Sequence, residues 1–199
     1  MKALAISVLL SAVAFGAAPE AMVPPVIELV SPNQVTLGGG ILGAAVQASC
    51  QGRVKHFIQS PKSEPIAIFS AQAASRNFAG DWNGEHAGKW LYTAARAAYR
   101  TGDKQLAAAV RQVADYLVSR QEPNGYLGTY APTAESRMTS ANVAGKRTWD
   151  LWVHSYVILG LLEVNRYDPQ ARYLDAARRV GDLCYDLFVR QGRSTADMG

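Results

Sequence analysis

The stretch EHAGKWLYTAARAAYRTGDKQLAAAVRQVADYLVSR, residues 85–120, decides the fold. Its first half, from near Glu85 to Arg100, is rich in alanine and reads as a helix. The helix stops at Thr101, Gly102 and Asp103, where glycine suits the left-handed residue just past a helix end and aspartate can cap the next one. In the second half, Leu106, Val110, Val113 and Leu117 recur at spacings of four, three and four, which puts them on one face of an amphipathic helix ending at Pro123, Asn124 and Gly125.

Downstream, a Gly- and Tyr-rich segment from Tyr126 to Tyr130 leads through a polar loop to about Thr148. A third helix is expected from Asp150 to Tyr167, carrying Ile158, Leu159 and Leu162 and closed by Asp168 and Pro169. A fourth, about Gln170 to Val189, sets Tyr173, Ala177, Val180, Cys184 and Leu187 on one stripe. Shifting the first hairpin by 67 residues lays Trp82 on Trp149, Leu91 on Ile158, Leu106 on Tyr173, Val113 on Val180 and Asp115 on Asp182. Identity is loose, but the apolar register survives through two helices and their turn, as in stacked repeats. The first helix of each pair is small or apolar nearly all round, and the second is more amphipathic. That pattern suits an inner and an outer ring, with parallel inner helices whose N-termini open on one rim. Trp82 to His86, Trp149 to His154 and the Tyr126–Tyr130 segment would share that rim.

Upstream, Val26 to Val30, Val35 to Leu37 and Val54 to Ile58 are short runs of branched or aromatic residues parted by Pro32, Gly38 to Gly40 and Gly52. With Ile66 to Phe69 as a further extended piece, residues 22–70 read as a β-rich lead-in and residues 71–199 as the helical part. Met1 and Lys2 precede an apolar run, Ala3 to Ala18, that ends in small residues; residues 1–18 therefore read as a secretory signal. The run falls short of the about 20 apolar residues a membrane span needs, so no stable membrane anchor is expected.

Composition bounds the rest. With 49% hydrophobic and 18% charged residues, the 199-residue chain can build a packed core and is too poor in charge for disorder. The net charge of +4 is spread over helix faces and gives no footprint for nucleic acid. Cys50 and Cys184 are far apart and form no zinc or redox motif, so no metal or cofactor is assigned to this chain. An oxidising compartment permits a disulfide between them, with buried free thiols as the expectation. Gly38, Gly40 and Gly43 match a dinucleotide fingerprint in letters, but no sustained helix is expected after them and no βαβ unit surrounds them.

Sugars present apolar C–H faces and many hydroxyls, so their sites want aromatic platforms beside hydrogen-bonding side chains. Trp82, Asn83, Glu85 and His86 form such a cluster, as do Trp149, Asp150, Trp152, His154 and Tyr156. Glycoside hydrolysis usually needs two carboxyl groups about 5 to 9.5 Å apart. Asp81, Glu85 and Asp150 are the carboxylates placed on the rim, and each could instead cap a helix. A polysaccharide lyase would instead use a Tyr or His base, for which Tyr126, Tyr130 and His86 are available.

The ordered trio WNGEHAGKWL (82–91), QEPNGYLGTY (121–130) and WDLWVHSY (149–156) resembles glycoside hydrolase family 127, the β-L-arabinofuranosidase-like enzymes. The resemblance covers about Phe78 to Leu187. It implies an (α/α)6 barrel with β-rich accessory domains, retaining hydrolysis of β-L-arabinofuranosides or related sugars, and a periplasmic or secreted setting. It also implies that Trp82, Glu85, His86, Trp149, Asp150, His154 and Tyr156 line the sugar pocket. The family's nucleophilic cysteine, its zinc ligands and its acid/base carboxylate belong to a later segment, so no catalytic residue is transferred and zinc is expected only for the full-length family. Six helix pairs of this repeat would need about 400 residues. The expectation is therefore an N-terminal portion of the barrel, inactive alone. A non-catalytic helical-repeat module binding carbohydrate or peptide is the alternative. Sugar, linkage and oligomeric state stay open.

Overall fold

The computed structural model describes residues 35, 37–78, 84–133, 137–138 and 148–193. Residues 36–199 form one compact unit; residues 1–35 form another, of which only Val35 is described, so the signal expected over 1–18 and the run Val26 to Val30 lie outside the described residues. The compact unit is helical: α1 Ile41–Gln51, α2 Arg53–Phe57, α3 Glu64–Ala67, α4 Ala71–Ala74, α5 Glu85–Thr101, α6 Lys104–Arg120, α7 Asp150–Tyr167 and α8 Ala171–Tyr185, followed by a turn of π-helix at Asp186–Arg190. There is no strand among the described residues.

The two long hairpins stand where the sequence puts them. Gly102 ends α5 with φ 66° and donates its N–H to the Ala98 carbonyl, and the Asp103 carboxylate accepts the N–H groups of Gln105 and Leu106 to start α6. Leu106, Val110, Val113 and Leu117 are buried, as are Tyr173, Ala177 and Val180 on α8. The fourth helix is shorter than expected: α8 stops at Tyr185 and the π-turn takes the chain on, leaving Cys184 half-buried.

Helices α5 and α7 run parallel in the 67-residue register. At their start the Trp152 indole N–H donates to the Glu85 carboxylate; farther along, Arg96 Nε donates to Glu163 Oε1 at 2.6 Å, again 67 residues apart. Between these pairs the backbones touch. A methyl group at Gly88 would lie 2.1 Å from the Tyr156 carbonyl oxygen, and one at Gly160 would lie 2.7 Å from that of Gly88. Helices α6 and α8 meet out of that register, with Asp115 of α6 accepting from Arg172 and Tyr173 at the start of α8. Burial on both sides, expected of inner helices, does not hold for α7. Its Val153, Val157, Leu161 and Val164 are buried, whereas Trp152, Leu159 and Leu162 form an exposed apolar stripe.

The β-rich lead-in over 22–70 is corrected where it is described. Val54 to Ile58, expected as a strand, is α2 and the residue after it; Ile66 to Phe69 falls in α3 and the turn that follows; Leu37 belongs to no regular element. Burial decides this: Val54, Ile58, Ile66 and Phe69 all enter the core, and Trp90 of α5 donates its indole N–H to the Val54 carbonyl at 2.7 Å. Tertiary contact outweighs the β-preference of short branched runs. A sustained helix also does follow the Gly38, Gly40, Gly43 letters, with Gly40 at φ 95° preceding α1. Residues 37–39, which lead into it, are not strand.

Candidate functional site

Because α5 and α7 start side by side, their first turns and the Gln121–Tyr130 loop converge on one rim. Glu85 is buried at the first turn of α5. Its Oε1 accepts from the Lys89 ammonium at 2.8 Å and its Oε2 from the Trp152 indole. Burial alone would raise its carboxyl, but the hydrogen bonds from Lys89 and Trp152 outweigh burial and hold it below the ordinary value. It is an ionised acceptor. Lys89 Nζ also lies 4.5 Å from the centre of the Tyr156 ring and 5.6 Å from that of Trp152. The rings of Trp149, Trp152 and Tyr156 follow one another edge to face, with centroids 6.2 and 5.1 Å apart. His86 is exposed and meets Phe57 edge on at 5.5 Å. Together these set an open aromatic surface beside the largely buried Glu85 carboxylate.

Beneath it lies a sealed polar network. Asp150 is 1% exposed; its Oδ1 accepts from the Tyr126 hydroxyl at 2.7 Å and its Oδ2 from the Met138 N–H at 2.8 Å. Burial pushes this carboxyl up to about 6, against the pull of those hydrogen bonds and of Arg137. Tyr126 is pushed up as well, first by burial and then by Asp150. His154 is wholly buried, and its Nε2 accepts the Leu127 N–H at 3.2 Å. Burial, followed by the charge of Arg137, holds its ring at about 3, so the imidazole is neutral. Its proton then sits on Nδ1, which has no hydrogen-bond partner among the described residues. Arg137 closes the network with two hydrogen bonds to the Glu122 carboxylate, two to the Tyr130 carbonyl, and its guanidinium 3.8 Å from the centre of the Tyr126 ring. Trp149 joins the loop by donating its backbone N–H to the Tyr130 hydroxyl at 3.0 Å.

Of the residues singled out in the sequence, Glu85, Trp149, Trp152 and Tyr156 come together on the rim, with His86 next to Glu85 in the chain. Asp150 and His154 lie under the loop, holding it. Trp82, with Asp81 and Asn83, is outside the described residues. Lys89 and Arg137 were missed. Lys89 was legible as the i+4 partner of Glu85, whereas nothing local marks Arg137. A cavity of about 310 Å³ lies at the far ends of α5 and α7, away from this rim. Cys50 and Cys184 are free thiols, and burial raises the latter. Among the described residues no three His, Cys, Asp or Glu side chains converge, so these residues do not fit a zinc ion.

Residues 41–197 match the family model described as β-L-arabinofuranosidase, GH127 catalytic domain. A solved GH127 β-L-arabinofuranosidase from Geobacillus stearothermophilus T6 is similar in fold, with TM-score 0.55 and 21% identity. The alignment covers 77% of this chain and 26% of that one, so the chain spans about a quarter of that enzyme's length. No curated protein matches the chain.

Proposed function

The chain belongs to the GH127 β-L-arabinofuranosidase catalytic-domain family, and on that premise we propose that it supplies the sugar-binding rim of an exported glycoside hydrolase acting on L-arabinofuranosides or related glycans. The observation that carries this reading is the cluster at the paired helix starts. The Trp149, Trp152 and Tyr156 rings offer C–H stacking surfaces beside the Glu85 carboxylate, which is already ionised and held by Lys89 and Trp152. That carboxylate is suited to accept a sugar hydroxyl's hydrogen bond. Trp82, His86 and Tyr156 complete the pocket wall in this reading, while Asp150 and His154 act through the Tyr126–Tyr130 loop they hold.

Catalysis is not expected from this chain alone. A general acid must be protonated and reachable; Glu85 is held ionised, and Asp150 is sealed beneath Tyr126. The two helix pairs then form part of an (α/α)6 ring. Zinc is expected only for full-length relatives. The signal-like Met1 to Ala18 supports a periplasmic or secreted setting, which fractionation of expressing cells with N-terminal sequencing of the product would test.

The experiment for the rim is titration of the purified chain with L-arabinose and arabino-oligosaccharides, together with an assay on an aryl β-L-arabinofuranoside. Saturable binding that falls at least tenfold in Trp152→Ala, without turnover, is expected. Absence of binding removes the rim reading, and robust turnover removes the claim of inactivity. The same carboxylate, tied up in hydrogen bonds, favours a second reading as a non-catalytic binding module. Peptide binding at the rim in place of sugar would support that one.

A further inference from the structure

The helices that open on the rim end, about 25 Å away along their axes, on a second concave surface. It encloses about 310 Å³ between the last turns of α5 and α7 and the first turns of α6, within the size range of small-ligand sites. It is lined by small side chains, Ala95, Ala98 and Ala107, with Val110 and Val164. The corresponding positions 67 residues on are Leu162, Asn165 and Leu174, so the hollow arises from truncated side chains in the first repeat. One wall is a stacked pair, Tyr99 and Tyr167, with ring centroids 4.5 Å apart and planes at 27°. Tyr99 remains 48% exposed and presents aromatic surface to a ligand.

The charges around the mouth select the ligand. Asp103 pairs with Lys55 at 2.5 Å and Asp168 with Arg111 at 2.8 Å, while Lys104 has no ion pair among the described residues. The charged lining residues are thus two carboxylates, Asp103 and Asp168, and two cations, Lys104 and Arg111. An anion entering here meets the carboxylates and a cation meets Lys104 and Arg111. A neutral molecule with hydroxyls to bridge the charged groups and an apolar face to lay on tyrosine satisfies all of them. We propose that this cleft is a second carbohydrate site, distinct from the rim, that takes a neutral glycosyl unit. The cleft stands on its own lining; only the choice of an arabinose-containing probe rests on the family reading above.

The test is an amide-resolved NMR titration of the full chain with L-arabinobiose, with galacturonate as the charged comparator. Saturable shifts at Gly102, Lys104 and Ala107 are expected with the neutral sugar. Affinity at these amides should drop at least tenfold in Tyr99→Ala and in Ala107→Trp. Both positions are exposed; Ala107→Trp should keep the wild-type Tm, and Tyr99→Ala, which gives up its stacking on Tyr167, should lose only a few degrees. Trp152→Ala should leave the cleft shifts in place. Absent shifts, shifts undiminished in both variants, or tighter binding of galacturonate would each overturn the proposal. Cleft shifts without rim shifts in the wild type would uphold it while removing the rim reading.

Discussion

His154 and Asp150, one turn apart on α7, make opposite contributions to stability as pH changes. His154 is held at about 3 in the fold against an ordinary 6.5. The unfolded chain therefore binds the proton first, and stability is lost as pH falls through that interval. Asp150 is raised to about 6 against an ordinary 3.8. Its folded form keeps the proton longer, so its contribution is present at low pH and lost as pH rises through 6. Between pH 7 and 5 the two effects nearly offset, each amounting to about 1 to 2 kcal/mol. Single substitutions should separate them. Thermal melts of His154→Asn are expected to show Tm rising as pH is lowered from 7 to 5, and those of Asp150→Asn to show it falling. Identical slopes in the two variants would remove this account. The sequence marked both residues as candidates for the sugar-binding rim. It did not reveal that Asp150 meets the Tyr126 hydroxyl and His154 the Leu127 backbone N–H, because those contacts span 24 and 27 residues.

At the scale of elements, the joint between α5 and α7 rests on the absence of side chains. An exposed Gly→Ala change within a helix stabilises by roughly 0.5 to 1 kcal/mol. At Gly88 the added methyl would lie 2.1 Å from the Tyr156 carbonyl oxygen and 2.6 Å from the Val157 nitrogen, so the helices must part. Denaturant unfolding of Gly88→Ala is expected to show a loss of about 2 kcal/mol or more. Gly181→Ala, where nothing lies within 4 Å, should instead gain up to about 1 kcal/mol. Equal effects at the two sites would mean that the close approach does not matter. The boundaries of α5, α6 and α7 were legible because their signals are local: Gly102 and Asp103 at one turn, Asp150 at the start of a helix and Asp168 with Pro169 beyond its end. The helices before Ala71 were not. Val54, Ile58 and Ile66 lie in runs too short for periodicity to tell strand from helix, and their burial against the remainder of the unit settles it.

For the molecule as a whole, the exposed stripe on α7 dominates behaviour in solution. Trp152, Leu159 and Leu162 are 42, 48 and 40% exposed on one face of a helix, and such contiguous apolar surface promotes association. The double variant Leu159→Lys, Leu162→Lys is expected to raise the monomer fraction in light scattering while leaving Tm within a few degrees. A collapse in Tm would show that the stripe is part of the core. The amino-acid sequence by itself determined the helix pairs, their 67-residue register and the aromatic and carboxylate residues at their starts, because periodicity, caps and turns act within a few residues. Only the tertiary structure decided that the described part of the lead-in is helical, that Asp150 and His154 are sealed under a loop clamped by Arg137, and that alanines leave a hollow at the far end. Each of these depends on which distant groups share a low-dielectric interior, and burial is a property of the packed chain.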